Sequence, residues 1–327
     1  MIKQKINGVI VPSITFFNEN LEINSELNSL LIKHILLNGA DGIFLFGNTG
    51  EGIAFIEKIH EKRKFVDLAL KYSDHKTPVL LGAFGYKADE AINQIELLGK
   101  DYKTLSFVIT PPISKKLENN DLIAYFETIL GSLTLKNQIF LYNNPHRFAK
   151  NNIRADTIKP LLNFENLKGI KDTTAKLKNT LEFIEYIGKD FALYCGEEMN
   201  YSAFLKSVPL ELRIYAGLVP SISNISNICK KMYQKALNGE DSQLDILQEE
   251  LYKQQRGFYD TKGPMGRETR GLKHTFYILY KNKTSLQEKD ATMVSPELWR
   301  IVEQEVKDRI KITVETLVKS ENILTIK

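Results

Sequence analysis

Cysteine is nearly absent from this chain: its 327 residues include only Cys195 and Cys229. No CxxC or Cys/His spacing offers a zinc site, and none of His34, His60, His75, His146 and His274 has a histidine partner at metal-ligand spacing. Long apolar runs are missing too. None could cross a membrane, and Met1-Ile2-Lys3-Gln4-Lys5 lacks the apolar stretch of a signal peptide. A soluble protein of a reducing compartment, located in the cytoplasm, is expected. No sign of charge dominates: 44 Lys and Arg stand against 40 Asp and Glu. The positive charges are scattered, and Lys58, Lys62, Arg63 and Lys64 read as a solvated helix face. Without a dense basic stripe, neither nucleic acid nor a membrane is an expected partner. Tryptophan occurs once, at Trp299, where it reads as a packing anchor at the start of the last helix.

What is present is ordinary globular composition, 43% hydrophobic, enough to bury a large core. Eight short β-rich runs stand out: Val9–Phe17, Gly42–Phe46, Pro78–Ala83, Leu105–Ile109, Gln138–Tyr142, Leu167–Lys171, Ala192–Cys195 and Arg213–Ala216. Amphipathic helical patterns lie between them, including Ile23–Leu37, Glu57–Tyr72, Asp121–Leu130 and Leu181–Ile187. This alternation predicts an α/β (β/α)8 TIM barrel. A doubly wound open sheet is the competing arrangement. Against it, no GxGxxG opens the first helix, and polar residues end many strands rather than one crevice. Past Asn238-Gly239-Glu240-Asp241 the alternation stops. Residues 1–237 read as the catalytic barrel. Residues 238–327 read as a helical appendage with helices over Leu244–Tyr259, Gly271–Tyr280 and Pro296–Ser320, broken at Gly263-Pro264.

Barrel enzymes place their chemistry where strands end. The sixth run ends in Gly169-Ile170-Lys171-Asp172. A lysine held at the end of a buried strand gains little from solvation, which favours the neutral amine and makes Lys171 a Schiff-base candidate. Its plainer reading is a lysine that snorkels to water. The second run leads into Gly47-Asn48-Thr49-Gly50-Glu51-Gly52. Gly47 lets the backbone approach a ligand, and Asn48 and Thr49 offer donors, so the stretch reads as a carboxylate cradle or as a simple turn. Glu51 is a candidate to hold this loop. The fifth run ends in Tyr142-Asn143-Asn144-Pro145-His146-Arg147. Period-two alternation puts Phe140 and Tyr142 on one side, where a barrel-facing Tyr142 could relay protons. Arg147 could hold a carboxylate through its planar fork, or be solvated. His146 is a weaker candidate.

These three segments, in this order and at this spacing, resemble the pyruvate-dependent class I aldolases and lyases. That family includes dihydrodipicolinate synthase, N-acetylneuraminate lyase and 2-keto-3-deoxygluconate aldolase. The resemblance covers residues 7–237 well and the helical tail loosely. It implies that Lys171 forms the imine, that Tyr142 shuttles protons, and that Asn48 and Thr49 lie at the carboxylate end of bound pyruvate. Pro12 and Thr15 match the first-strand segment, and Gly217-Leu218-Val219 the segment that lines the imine. It also implies pyruvate and an aldehyde as small-molecule partners, a homotetramer or homodimer, and no metal or other cofactor, since the iminium is the electron sink.

Two departures shape the functional expectation. The loop has Asn48-Thr49 where the synthase branch has Thr-Thr. Ile113 stands where that branch has a tyrosine supplied across a subunit boundary, and isoleucine cannot relay a proton. Arg147 matches the synthase's arginine for a second carboxylate. Glu198 matches an acidic position that keto-deoxy-sugar aldolases use for hydroxyl contacts, although Glu197 and Glu198 also read as loop charges. The family's proline-rich stretch before the last helices is replaced by Glu288–Val294. The expected activity is that of a Schiff-base class I lyase or aldolase acting on pyruvate or a 2-keto-3-deoxy sugar acid, with reversible carbon–carbon cleavage next to a pyruvate unit. Alternatives are 4-hydroxy-tetrahydrodipicolinate synthesis from pyruvate and aspartate semialdehyde, dehydration of a sugar acid, or a non-catalytic barrel that binds 2-oxo acids.

Overall fold

Eight short parallel strands alternate with helices in the computed structural model, which describes residues 6–261, 266–282, 287–298 and 302–326. The strands are β1 (Ile10–Pro12), β2 (Gly42–Leu45), β3 (Val79–Gly82), β4 (Ser106–Ile109), β5 (Ile139–Asn143), β6 (Leu167–Asp172), β7 (Ala192–Cys195) and β8 (Ala216–Leu218). They pair in chain order, and β8 returns to the first strand through the Val9/Leu218 bridge and the Leu218 N–H bond to Gly8 O at 3.0 Å. The barrel is therefore closed, and the doubly wound alternative is excluded.

Alternation along the strands sorts side chains into two layers. Ile10, Phe44, Leu80, Val108, Phe140, Tyr142 and Tyr194 fill the barrel interior, while Val11, Ile43, Leu45, Leu81, Phe107, Ile139, Leu141 and Ile170 pack outwards under the helices. β6 needs a correction to this alternation. Leu167 faces the helices, yet Lys171, four residues on, faces the interior. A register shift resolves it: Ile139 pairs with Leu167 but Phe140 with Gly169, so Lys168 is an extra residue. Glycine is required at 169 because a Cβ would lie 2.3 Å from Ala192 O.

The helices that cover the barrel are α1 (Ser25–Leu37), α2 (Ile59–Tyr72), α3 (Ala88–Gly99), α4 (Asn119–Ser132), α5 (Ala155–Ile158), α6 (Leu177–Leu181), α7 (Tyr201–Ser207) and α8 (Ile228–Leu237). Three expectations are corrected. The eighth strand is not Arg213–Ala216: Leu210–Tyr215 is a 3-10 turn, in which the buried Arg213 guanidinium donates to Val208 O, Ala236 O and both oxygens of Asp241. The pattern at Leu181–Ile187 divides into the end of α6 and a turn at Ile184–Tyr186. Lys62 does not belong to a solvated face. It is 0% exposed, donating to Gly82 O at 2.8 Å and Gln94 Oε1 at 2.6 Å.

Past Leu237 the chain forms α9 (Asp241–Phe258), α10 (Arg267–Tyr280), α11 (Glu288–Thr292) and α12 (Gln304–Lys319). The expected helix Pro296–Ser320 is instead a turn at Pro296–Leu298 followed by α12. Trp299 and the Gly263-Pro264 break lie outside the described residues. α9 packs on α7 and α8, and α10 lies among α9, α11 and α12. The tail is stitched to α1: His34 Nδ1 meets the Tyr280 hydroxyl at 2.7 Å, and the Asn38 amide exchanges two bonds with the backbone of Leu324. Burial holds His34 down to a pKa of about 4, so it is neutral at ordinary pH. Among the described residues no helix is long and apolar enough to cross a membrane.

Candidate active site

Tyr142 and Lys171 end adjacent strands as register partners, so both point into the barrel at its C-terminal mouth. Lys171 is 7% exposed, and its Nζ lies 4.1 Å from the Tyr142 ring centroid and 5.5 Å from that of Phe44. The apolar interior layer underlies its stem. A void of about 10 Å³ remains there, at the lower limit for one water molecule. The lysine is thus rooted in hydrocarbon, with its amine at the floor of an open cavity of about 450 Å³. Gly196, at the end of β7, makes room for it: a Cβ there would lie 2.7 Å from Lys171 Cε. The Tyr142 hydroxyl accepts a bond from Asn144 Nδ2 at 3.2 Å.

The neighbouring Asp172 points away from the cavity. Its carboxylate accepts bonds from Asn143 Nδ2 and from the hydroxyls of Thr174 and Thr180, joining the ends of β5 and β6. Burial pushes its pKa up, against the lowering effect of these donors. Asp172 positions the strand end that carries Lys171.

One side of the cavity is the loop after β2. Asn48 and Thr49 line it, and Thr49 Oγ1 lies 2.7 Å from Ser221 Oγ in the loop after β8. Val219 completes this side. The loop is tightly held. The Thr15 hydroxyl donates to Gly50 O at 2.9 Å, and Glu51 adopts a left-handed conformation at φ 58°. A Cβ at Gly52 would lie 1.9 Å from Phe46 O, so only glycine fits there. Gly47 does not line the cavity. It is needed because a Cβ would lie 2.8 Å from the Phe44 ring, which is a packing demand. Arg147 sits half-buried in the turn after β5 and is not among the residues that line this cavity.

The opposite side carries Glu197 and Glu198 after β7. Glu198 is no solvated loop charge. Its Oε1 accepts Ile222 N–H at 2.9 Å, and its Oε2 accepts Gln255 Nε2 at 2.5 Å and the Tyr259 hydroxyl at 2.7 Å. Burial raises the pKa of both carboxyls, most directly opposed at Glu198 by the Ile222 amide. Glu198 Oε1 keeps one lone pair for a ligand.

The outer wall is not legible in the sequence: Tyr252, Gln255 and Arg256 from α9, Tyr259 just past its end, and Arg267 and Glu268 from α10. Helical periodicity marks the apolar faces of α9 and α10 but does not say that their polar edge meets the barrel mouth. Thr173 and Ser221 were also missed, being small polar residues in loops. Ile113 packs on the apolar cluster that contains Tyr142 and brings no hydroxyl to it.

A sequence model described as the Dihydrodipicolinate synthetase family matches residues 5–266. The chain is 26% identical over 263 residues to the 4-hydroxy-tetrahydrodipicolinate synthase of Bartonella bacilliformis, covering 80% of this chain and 85% of that one. It is 25% identical over 260 residues to the same-named protein of Chelativorans sp., covering 79% and 85%. Its fold matches YagE, an E. coli prophage protein described as belonging to the dihydrodipicolinic acid synthase family and solved with pyruvate. The TM-score is 0.79 at 20% identity, over 95% of this chain and 98% of that one. It also matches a variant of the Sulfolobus solfataricus 2-keto-3-deoxygluconate aldolase, with a TM-score of 0.75 at 18% identity, over 97% and 99%. At these identities the two structures speak for the fold alone.

Proposed function

The chain belongs to the dihydrodipicolinate synthetase family of lysine Schiff-base lyases, and within it we propose that Lys171 forms the imine in an aldolase acting on 2-keto-3-deoxy sugar acids. Lys171 Nζ attacks the C2 carbonyl of the 2-oxo acid. Tyr142 passes one proton from nitrogen to the former carbonyl oxygen and then gives it its own phenolic proton, so that the oxygen leaves as water, the iminium forms and Tyr142 is left as the tyrosinate. In cleavage, the C4 hydroxyl loses its proton to Tyr142, and the C3–C4 electron pair moves into the iminium. An aldehyde departs, leaving the enamine of pyruvate. Protonation at C3 and hydrolysis release pyruvate. Addition to an aldehyde is the reverse.

In this reading Thr49, Asn48 and the backbone beside them orient the carboxylate, and Val219 packs on the imine. The free lone pair of Glu198 accepts a hydroxyl from the sugar chain. The carrying observation is the pairing of Lys171 with Tyr142 above an apolar floor and beneath a polar cavity. Synthesis from pyruvate and aspartate semialdehyde is the second reading, favoured by the names of the curated relatives. Against it stand Ile113 and the placement of Arg147 off the cavity wall. Homodimeric or homotetrameric assembly and a cytoplasmic location belong to the same proposal. The first rests on the family resemblance and is tested by light scattering; the second rests on the scarcity of cysteine and of long apolar runs.

Borohydride reduction with pyruvate, followed by peptide mass spectrometry, tests the central claim. A reduced adduct on the Lys171 peptide, lost in Lys171→Ala, is expected. An adduct on another lysine, or none on folded protein, would overturn it. Turnover of 2-keto-3-deoxygluconate against aspartate semialdehyde then separates the two readings.

A further inference from the structure

The loop that carries Asn48 and Thr49 is held from outside the barrel. α10 reaches it with two side chains one helical turn apart, Thr269 and Lys273. The Thr269 hydroxyl donates to the carbonyl of Thr49 itself, at 3.0 Å. Lys273 Nζ lies 2.6 Å from Glu51 Oε1, and the two side chains are 0% and 1% exposed. Lys273 also donates to Met293 O and lies 4.3 Å from the Phe17 ring centroid, while Ser295 N–H donates to the other Glu51 oxygen. Both carboxylate oxygens of Glu51 are thus held.

These bonds act where the loop backbone has few alternatives. Glu51 is left-handed, a conformation that costs a non-glycine residue energy unless its surroundings impose it. The carbonyl of Thr49 is fixed by the tail, and the hydroxyl of the same residue meets Ser221 inside the cavity. Rotation of the Thr49–Gly50 peptide would break the first bond and redirect the Gly50 N–H of the same loop. The barrel's own contribution to this part of the loop includes the Thr15 bond to Gly50 O.

We infer that Thr269 and Lys273 are positioning residues: through Thr49 O and Glu51 they set the conformation of the Gly47–Gly52 loop in which it receives a substrate carboxylate. The inference rests on the reading that this loop takes the carboxylate end of a 2-oxo acid imine-bound to Lys171. The helical tail is then part of substrate recognition without touching the substrate's carboxylate.

The test compares two methyl ketones that can each form an imine with a lysine, pyruvate and hydroxyacetone, of which only pyruvate carries a carboxylate. Half-saturation of borohydride trapping at Lys171 is measured for each, in the full-length wild type, Thr269→Val and Lys273→Met. The preference for pyruvate over hydroxyacetone should fall roughly 3- to 10-fold in Thr269→Val, the size expected for one lost hydrogen bond that orients the site. It should fall further in Lys273→Met, where the ion pair is removed. Hydroxyacetone trapping should stay near the wild-type value in Thr269→Val. An unchanged preference, or equal weakening for both ketones, would mean that α10 only stabilises the fold and would overturn the inference. If Lys273→Met does not fold, Thr269→Val decides, because it leaves the ion pair intact. A wild type that traps no pyruvate at Lys171 would sink the functional reading and this inference with it, whereas wild-type trapping with normal variant selectivity sinks only the inference.

Discussion

Gly196 and Lys171 are in such close contact that a Cβ on the glycine would lie 2.7 Å from Lys171 Cε and 2.1 Å from Thr173 Oγ1. The two nearest obstructed atoms belong to side chains, with the Asp172 carbonyl oxygen farther off at 3.3 Å, so a methyl group there would displace the amine before the backbone. Gly196→Ala is expected to fold with nearly the wild-type melting temperature and to lose most imine formation with pyruvate. Trapping yield and thermal denaturation on one preparation check this. Undiminished trapping would show that Lys171 does not need its present position.

Tyr142→Phe keeps the ring that faces Lys171 and removes only the hydroxyl held by Asn144. If the phenol moves protons, kcat should drop by roughly 10²- to 10⁴-fold, the usual scale of general acid–base catalysis. The imine should still form at long incubation. Steady-state and single-turnover rates separate the two steps, and a loss below tenfold would remove the relay role.

Glu198 and Arg147 make opposite predictions for the far end of the substrate. Glu198→Gln must place an amide where Ile222 N–H, Gln255 or Tyr259 now donates. The KM for a hydroxylated 2-keto-3-deoxy acid should rise while pyruvate trapping is retained, with stability falling by about 1.5–3 kcal/mol for a lost charged hydrogen bond. Arg147→Ala, off the cavity wall, should leave KM unchanged for substrates with and without a second carboxylate. A selective rise for the second class would restore the role first read from its sequence position.

Lys62 predicts a pH dependence of stability. Burial lowers its pKa from 10.5 to about 7, with no carboxylate among its hydrogen-bond partners. Between those values the unfolded chain binds more protons at this site than the folded one. Lys62 therefore makes stability rise with pH from about 7 towards 10.5, and its penalty is complete below 7. The slope is at most about 1.4 kcal/mol per pH unit. Lys62→Met should lose this contribution, and the difference between wild-type and variant melting curves across pH 7–10 isolates it from other groups. Parallel curves would mean that the amine is not neutralised by burial.

The chain's sequence was enough to determine the barrel with its C-terminal helices, and to mark Lys171 and Tyr142 as strand-end residues that face the barrel interior. Strands buried on both faces read as continuous apolar runs, so seven of the eight lie where the runs place them. The eighth was misread because Ile214-Tyr215-Ala216 is as apolar as a strand, and nothing local reveals that Arg213 turns inward to Asp241. Lys171 and Tyr142 were legible because a polar residue ending an apolar strand is conspicuous, and alternation gives its facing. Only the tertiary structure could decide what the helices contribute. Lys62 and Lys273 look like any solvated lysine until the docking of α2 and α10 buries them, and Tyr252, Gln255 and Tyr259 become a cavity wall only when α9 meets the barrel mouth. Periodicity records which face of a helix is apolar; it carries no information about which distant loop that helix will meet.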